Sequence, residues 1–173
     1  AVVTKDRNLY KKIHLLRNHG IQSYEKVILA GTNAKMNELE SIMGLCLLDS
    51  FNTLNKQRKK RYMLYYNVFS KHHKIRLQKI NSSSHHYSYF PICFASKSIR
   101  NRIFNSLLKR GFRARKYFYP PIHELPYING NNEKLPNATL IAHTILCLPL
   151  YPDLPIEEIK KVVDIILKEL KSS

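Results

Sequence analysis

The chain has 173 residues, enough to form one sizeable domain with a hydrophobic core. Its 29 lysines and arginines against 12 aspartates and glutamates give a formal net charge of +17, which favours anionic partners or a solvated basic surface. No apolar run is long enough to span a membrane and no cysteine or histidine spacing is typical of a zinc site, so the sequence excludes those two classes of protein.

Helix is the main prediction for the first half of the chain. Residues 1–4 have the apolar composition expected at the end of a buried strand. Asp6 can cap the helix that follows, and Gly20 can end it. Residues 34–71 are predicted to form one long helix, or two in sequence with a break near residues 49–50.

The second half is predicted to mix strands and helices. Aromatic and β-branched residues favour strands, whereas apolar stripes at helical spacing favour helices. The predicted strands are 86–94, 112–115 and 144–150, the predicted helices are 98–110 and the segment from Pro155, and 120–136 is predicted to be loop. We therefore expect an α/β fold, in which a small, mostly antiparallel sheet has helices on one side and a long linking helix precedes it.

Segment 31–39 is the first candidate binding site. A glycine, small polar residues and two asparagines lead into an apolar-periodic stretch that contains Met36 and Leu39, so the segment is predicted to open a helix that Asn33 or Asn37 caps. Free N–H groups at a helix start suit a phosphate. Asn33 is therefore a candidate phosphate ligand, and a plain helix cap is the alternative.

Four stretches follow one another in an order that is typical of one enzyme family. They are AVVT at 1–4 with the helix that ends LLRNHG, GTNAKMNEL at 31–39 continuing to MGL, YFYPPIH at 117–123, and LPLYP at 148–152. Together they resemble the DegT/DnrJ/EryC1/StrS family of sugar aminotransferases, and they extend over nearly the whole chain. The resemblance implies the C-terminal part of a fold-type I enzyme. Residues 1–50 would belong to the large cofactor-binding domain and the start of an interdomain helix, and residues 51–173 would form the small domain.

The family also implies an activity, a cofactor and an assembly. The activity is amino transfer from an amino acid, with glutamate as the expected donor, to a nucleotide-linked keto-sugar in surface-glycan or amino-sugar biosynthesis. The cofactor is pyridoxal 5′-phosphate (PLP), and the assembly is a cytoplasmic homodimer with its active site at the subunit interface. The lysine that forms the Schiff base is expected just before Ala1, so no catalytic residue is assigned and the 173-residue chain alone is expected to be inactive.

Individual binding residues follow from the family motifs. The asparagine that contacts the PLP phosphate of the partner subunit corresponds to Asn33, and Lys35 keeps the charge of the more common arginine without its bidentate guanidinium. Tyr119 matches the substrate-lining tyrosine of the family's His-Tyr-Pro motif. His19 is a possible active-site contact or a simple helix cap. Outside the motifs, Arg113 and Arg115 precede the 117–123 stretch and could bind a diphosphate through paired hydrogen bonds; a solvated strand edge is the alternative.

Two non-enzymatic functions stay open. The first is a truncated, catalytically inactive interaction module. The second is a basic nucleic-acid-binding domain, which the run KQRKKR at 56–61 suggests. Six consecutive helical residues point in all directions, however, which argues against a single binding stripe.

Overall fold

The structure is a computed structural model, and it describes residues 1–81, 85–128 and 135–171. The chain divides into two compact units, Ala1–Ser50 and Phe51–Ser173. The helices are α1 (Arg7–Arg17), α2 (Glu38–Phe69), α3 (Lys97–Lys109), α4 (Pro136–Thr144) and α5 (Ile156–Lys171), and the strands are β1 (Ile21–Ser23), β2 (Lys26–Val27), β3 (Arg76–Leu77), β4 (Phe90–Cys93) and β5 (Ile145–Leu148). Among the described helices, none combines the length and apolarity that a membrane crossing requires.

Helix α1 begins where the sequence predicts. The Asp6 carboxylate accepts hydrogen bonds from the N–H groups of Asn8 at 2.8 Å and Leu9 at 3.1 Å, so Asp6 is the predicted cap. The strand expected over residues 1–4 is wrong. Those residues form no strand and the first three are exposed, because no other described strand pairs with them.

Helix α2 begins at Glu38, and its cap is Asn37, four residues after Asn33. The Asn37 side chain accepts from the Glu40 N–H at 2.8 Å and the Glu40 carboxylate accepts from the Asn37 N–H at 3.1 Å, which is a reciprocal capping box. The placement of Asn33 at the helix start is therefore wrong. The alternative of a break near residues 49–50 is also wrong, since the helix is continuous to Phe69 and no glycine or proline interrupts its later part.

The Phe51–Ser173 unit contains a three-stranded antiparallel sheet in the order β3-β4-β5. Its register pairs Phe90 with Leu148 and Ile92 with Leu146, and these four side chains lie in the hydrophobic core. Helices α3 and α5 supply the opposite side of that core through residues such as Ile103. The observed architecture confirms the predicted α/β class with a small antiparallel sheet.

Several predicted boundaries in this unit are wrong. The strand expected over 112–115 is reduced to one isolated bridge, in which Arg115 and Cys147 exchange backbone hydrogen bonds of 2.9 and 2.8 Å. The strand expected from residue 144 starts at residue 145, because Thr144 is the last residue of α4. The loop expected over 120–136 contains a short 3-10 helix, Ile122–Glu124, and residues 129–134 of that loop lie outside the described residues.

Candidate functional site

Three of the predicted binding residues lie at the turn that follows α1. Asn33 forms an isolated antiparallel bridge with Asn18. The His19 N–H donates to the Thr32 carbonyl at 3.2 Å. His19 has a φ of +55°, an uncommon value for a non-glycine residue, so this turn is a specific structure and not a frayed helix end. The segment around Asn33 is therefore held in place by backbone contacts, although it is not part of a helix.

Lys35 points back to the same turn. Its ammonium donates to the side-chain oxygen of Asn18 at 2.8 Å. Lys35, Asn33 and His19 are all exposed. An ammonium has three N–H donors and an amide has two, so Lys35 and Asn33 keep donors for a further acceptor. This pair of donors fits an anionic group such as a phosphate.

Two glycines allow the backbone to pass closely at this turn. Gly20 has a φ of +75°, and a β-carbon there would lie 1.7 Å from the carbonyl oxygen of Leu29. A β-carbon on Gly31 would lie 2.6 Å from the Gly20 nitrogen and 2.7 Å from the Leu16 carbonyl oxygen. Any side chain would collide with backbone at both positions, so the two glycines determine the path of the chain that leads to Asn33.

The Phe51–Ser173 unit contains a cavity of about 570 Å³ that is rich in arginine and tyrosine. We call it the arginine–tyrosine cavity. Its lining includes Arg110, Arg113, Arg115, Tyr89, Tyr117 and Tyr151. Glu158 is the one carboxylate among the described lining residues, and it forms an ion pair with Lys161 at 2.8 Å. The cavity is therefore a positively charged, aromatic-walled site.

Arg115 is fixed in this cavity by both its backbone and its side chain. Its backbone pairs with Cys147, and its guanidinium donates to the Tyr117 hydroxyl. That hydrogen bond raises the pKa of Arg115 above its ordinary value, which already keeps an arginine charged at neutral pH. Tyr117 in turn contacts Tyr89 edge-on, with ring centroids 5.3 Å apart. Arg115 is thus presented as a fixed cation beside two aromatic rings.

Cys147 also lines the cavity, but it is not a nucleophile. Burial, together with the nearby Cys93 thiol, raises the pKa of Cys147 to about 11. At neutral pH its thiol is therefore protonated and weakly reactive. Within the described residues no cluster of three histidine, cysteine or acidic side chains could hold a metal ion.

Tyr119 lies apart from the arginine–tyrosine cavity, so the structure does not bring it together with Arg115 in one pocket. Its ring lies over the Arg100 guanidinium at 4.9 Å and near the Lys97 ammonium at 5.0 Å. The sequence reasoning missed Arg100, which is 0% exposed. A signal was present, because Arg100 precedes the apolar residues Ile103 and Leu107 at helical spacing and so lies on the buried face of α3.

The basic run at 56–61 forms no single binding stripe. The Arg61 Nε donates to the Leu154 carbonyl at 2.7 Å, and the Lys59 ammonium lies 5.9 Å from the centre of the Tyr87 ring. Two of its cations are thus used in packing within the unit, which weakens the hypothesis of a nucleic-acid-binding helix.

Comparison with known proteins identifies one family. The sequence model of the DegT/DnrJ/EryC1/StrS aminotransferase family matches residues 1–167. The chain is 32% identical to the dTDP-4-amino-4,6-dideoxy-D-glucose transaminase of Escherichia coli over an alignment of 178 positions, which covers 98% of this chain and 48% of that enzyme. The chain spans about half the length of the curated relatives it matches.

Solved structures agree with the sequence match. PseC of Helicobacter pylori, an aminotransferase involved in pseudoaminic acid biosynthesis, superposes with a TM-score of 0.85 and 26% identity over 99% of this chain and 48% of PseC. NtdA of Bacillus subtilis with bound cofactor PMP superposes with a TM-score of 0.84 and 25% identity over 98% of this chain and 41% of NtdA.

Proposed function

The chain belongs to the DegT/DnrJ/EryC1/StrS aminotransferase family, and we propose that it forms part of a PLP-dependent enzyme that transfers an amino group to a nucleotide-linked keto-sugar. The amino donor is an amino acid, with glutamate as the expected one. The similarity to a dTDP-amino-sugar transaminase supports this class of acceptor, and supports a role in surface-glycan or amino-sugar biosynthesis.

The observation that carries the choice of substrate is the arginine–tyrosine cavity. Guanidinium groups pair with phosphate oxygens through two parallel hydrogen bonds, and aromatic faces stack on a nucleobase or a sugar ring. Arg113 and Arg115 would bind the diphosphate, while Tyr89 and Tyr117 would orient the neighbouring base or sugar. The family motifs also make Tyr119 and His19, each within its own unit, candidates for substrate contact.

PLP is the cofactor that the family implies, and the donors at the end of α1 fit its phosphate. Asn33 would donate its amide N–H groups to the phosphate oxygens, and Lys35 would supply a positive charge. When bound, PLP acts as the electron sink for amino transfer. The residues of this chain contribute binding and orientation. The proposal gives none of them the part of the family's Schiff-base lysine, so the 173-residue chain alone is expected to be inactive.

The proposed assembly is a cytoplasmic homodimer in which Asn33 and Lys35 serve the cofactor of the partner subunit. Exposed apolar side chains on α2 support a subunit interface on this helix, because Leu39 is 77% exposed and Leu48 is 68% exposed. In the same proposal residues 1–50 belong to the large domain and the start of the interdomain helix, and residues 51–173 form the small domain.

The proposal is tested by titrating dTDP and UDP into the protein by isothermal titration calorimetry. Replacing Arg115 with glutamine removes a charge-assisted pair, so we expect the affinity for the better nucleotide to fall about tenfold or more. Arg7→Gln is the matched control, because Arg7 is exposed on α1 and lines no part of the cavity. Equal affinities of the Arg115→Gln variant and the control would contradict the assignment.

A further inference from the structure

Asn18 directly follows α1 as its C-terminal cap, and its backbone is held on both sides. Its N–H donates to the Leu15 carbonyl at 3.0 Å, and its carbonyl accepts from the Ile21 N–H at 2.9 Å. Its side chain is half-buried, whereas those of Asn33 and Lys35 are exposed. Asn18 is therefore a fixed point against which the two exposed residues can be positioned.

The chain that leads from Asn33 to Lys35 runs beside Asn18. The Ala34 N–H donates to the Arg17 carbonyl at 3.0 Å, next to the bridge between Asn18 and Asn33. These contacts determine the path of the main chain, but they do not determine the direction of a long side chain. An exposed lysine samples many conformations unless a partner holds its ammonium group, because its stem has several rotatable bonds.

The side chain of Asn18 is such a partner for Lys35. The Lys35 ammonium donates to the Asn18 side-chain oxygen at 2.8 Å. Among the residues that the structure describes, no carboxylate forms an ion pair with Lys35. Since the acceptor is a neutral amide, the hydrogen bond orients the ammonium group and leaves its positive charge intact. A carboxylate at the same place would orient the group as well but would offset its charge.

Lysine at position 35 makes such a partner necessary. A guanidinium is planar and holds its N–H groups in a fixed fork, whereas an ammonium is a compact charge on a flexible stem. Asn18 contacts Lys35 through its side chain and Asn33 through its backbone, so one residue links both proposed phosphate donors.

We propose that Asn18 is a positioning residue for the cofactor phosphate, and that it acts by holding the Lys35 ammonium in place with its charge undiminished. This inference rests on the proposed function, in which Asn33 and Lys35 contact that phosphate. Asn18 itself acts through Lys35 and need not touch the ligand. Removing its side chain should therefore affect the order of Lys35 first and the binding of phosphate as a consequence.

The first measurement is the order of the Lys35 side chain, from NMR relaxation of its Cε methylene group in the 173-residue chain. A Lys35→Arg variant identifies the resonance by its disappearance. Asn18→Ala removes the acceptor, so the order parameter of this group should fall to that of an exposed lysine such as Lys12. Asn8→Ala is the matched control, because it removes the same side chain from an exposed position on α1.

The second measurement is a titration with inorganic phosphate at constant ionic strength, followed at the Lys35 Cε and Asn33 side-chain amide resonances. Asn18→Ala should weaken phosphate binding about threefold, because Lys35 must then be ordered on binding. Asn18→Asp keeps an oxygen acceptor and the order of Lys35, but it should weaken binding about tenfold, because the carboxylate offsets the lysine charge and repels phosphate. A residue that only stabilised the turn would tolerate Asn18→Asp without this loss.

The outcomes separate this inference from the proposed function. Equal order of Lys35 in Asn18→Ala and Asn8→Ala would overturn the positioning role. A phosphate-dependent shift in the parent that is unchanged in both Asn18 variants would overturn that role alone. No phosphate-dependent shift at Lys35 or Asn33 in the parent would overturn the phosphate contact of the proposed function, and the positioning role with it. Both resonances belong to the turn after α1, so binding at the arginine–tyrosine cavity does not enter the result.

Discussion

Two asparagines four residues apart have separate tasks. Asn37 and Glu40 cap α2 reciprocally, whereas Asn33 is paired through its backbone with Asn18 before the helix begins. The sequence contains the signal for this difference, because Asn37 is followed three residues later by a glutamate and Asn33 is not. Asn33 therefore does not cap α2, which is compatible with the proposed contact between its side chain and a phosphate.

Replacing Asn37 with alanine should lower the free energy of unfolding by about 1 kcal/mol, because the N-cap hydrogen bond is lost. Asn33→Ala should change that free energy by about 0.5 kcal/mol or less, as at an exposed surface position. Urea denaturation followed by circular dichroism measures both. A loss for Asn33→Ala as large as that for Asn37→Ala would show that Asn33 has a structural task.

The two cysteines at the extremes of exposure should differ in reactivity. Cys46 is exposed, whereas Cys147 is buried and has a pKa of about 11. Since the thiolate is the reactive form, iodoacetamide at pH 8 should alkylate Cys46 first, and alkylation of Cys147 should accelerate only as the pH approaches about 11. Mass spectrometry of tryptic peptides measures this order. Early modification of Cys147 at pH 8 would contradict its burial.

Among the secondary-structure elements, the most accurate predictions were those for helices with capping or stop residues at their ends. Helices α1, α3 and α5 each combine an end signal with an apolar stripe, and the structure has them within a few residues of the prediction. Helix α4 was not predicted because it is short and follows a polar, asparagine-rich segment. Strand β3 was not predicted because its two residues are too few to show the alternation of apolar and polar side chains that indicates a strand.

The candidate site could be predicted only in part. Arg115 and Asn33 are candidates from local sequence, and the structure has Arg115 in the lining of the arginine–tyrosine cavity and Asn33 in the turn after α1. The arginine–tyrosine cavity was not predicted, because it depends on the bridge between Arg115 and Cys147, two residues far apart in the chain. Arg100 was overlooked because arginines are mostly exposed, although its helical spacing to Ile103 and Leu107 signals a buried position.

Backbone contact at the turn after α1 gives a prediction for that element. Gly31→Ala should destabilise the protein by more than about 1 kcal/mol, because its β-carbon meets backbone atoms that cannot move aside. Gly44→Ala, inside α2, should stabilise it by about 0.5–1 kcal/mol, because alanine favours the helix and the nearest atom, on Met36, is 3.9 Å away. Thermal denaturation compares the two variants, and similar shifts for both would contradict the close approach at Gly31.

At the scale of the whole molecule, the two units differ in how they are stabilised. The Phe51–Ser173 unit contains the hydrophobic core, which includes Tyr65, Ile103 and Ile166. Ala1–Ser50, all of whose residues are described, contains no buried apolar side chain. Its large apolar residues are available for contact with further protein, as the proposed homodimer requires.

Hydrogen exchange should show this difference directly. Amides of α1 have few buried contacts to protect them, so they should exchange faster than those of α3 and α5 by at least about tenfold. Mass spectrometry after brief deuteration measures the exchange for each helix. Equal protection of α1 and α5 in the isolated chain would mean that the Ala1–Ser50 unit is stabilised by contacts other than a buried apolar core.

The central claim is that the arginine–tyrosine cavity binds the diphosphate of a nucleotide-linked sugar. The most direct measurement is a crystal structure of the protein grown with a dTDP-sugar. We predict electron density for the diphosphate against Arg113 and Arg115, with the nucleoside or sugar beside Tyr117. Density for the ligand away from these arginines, or its absence at concentrations that saturate binding in solution, would contradict the account.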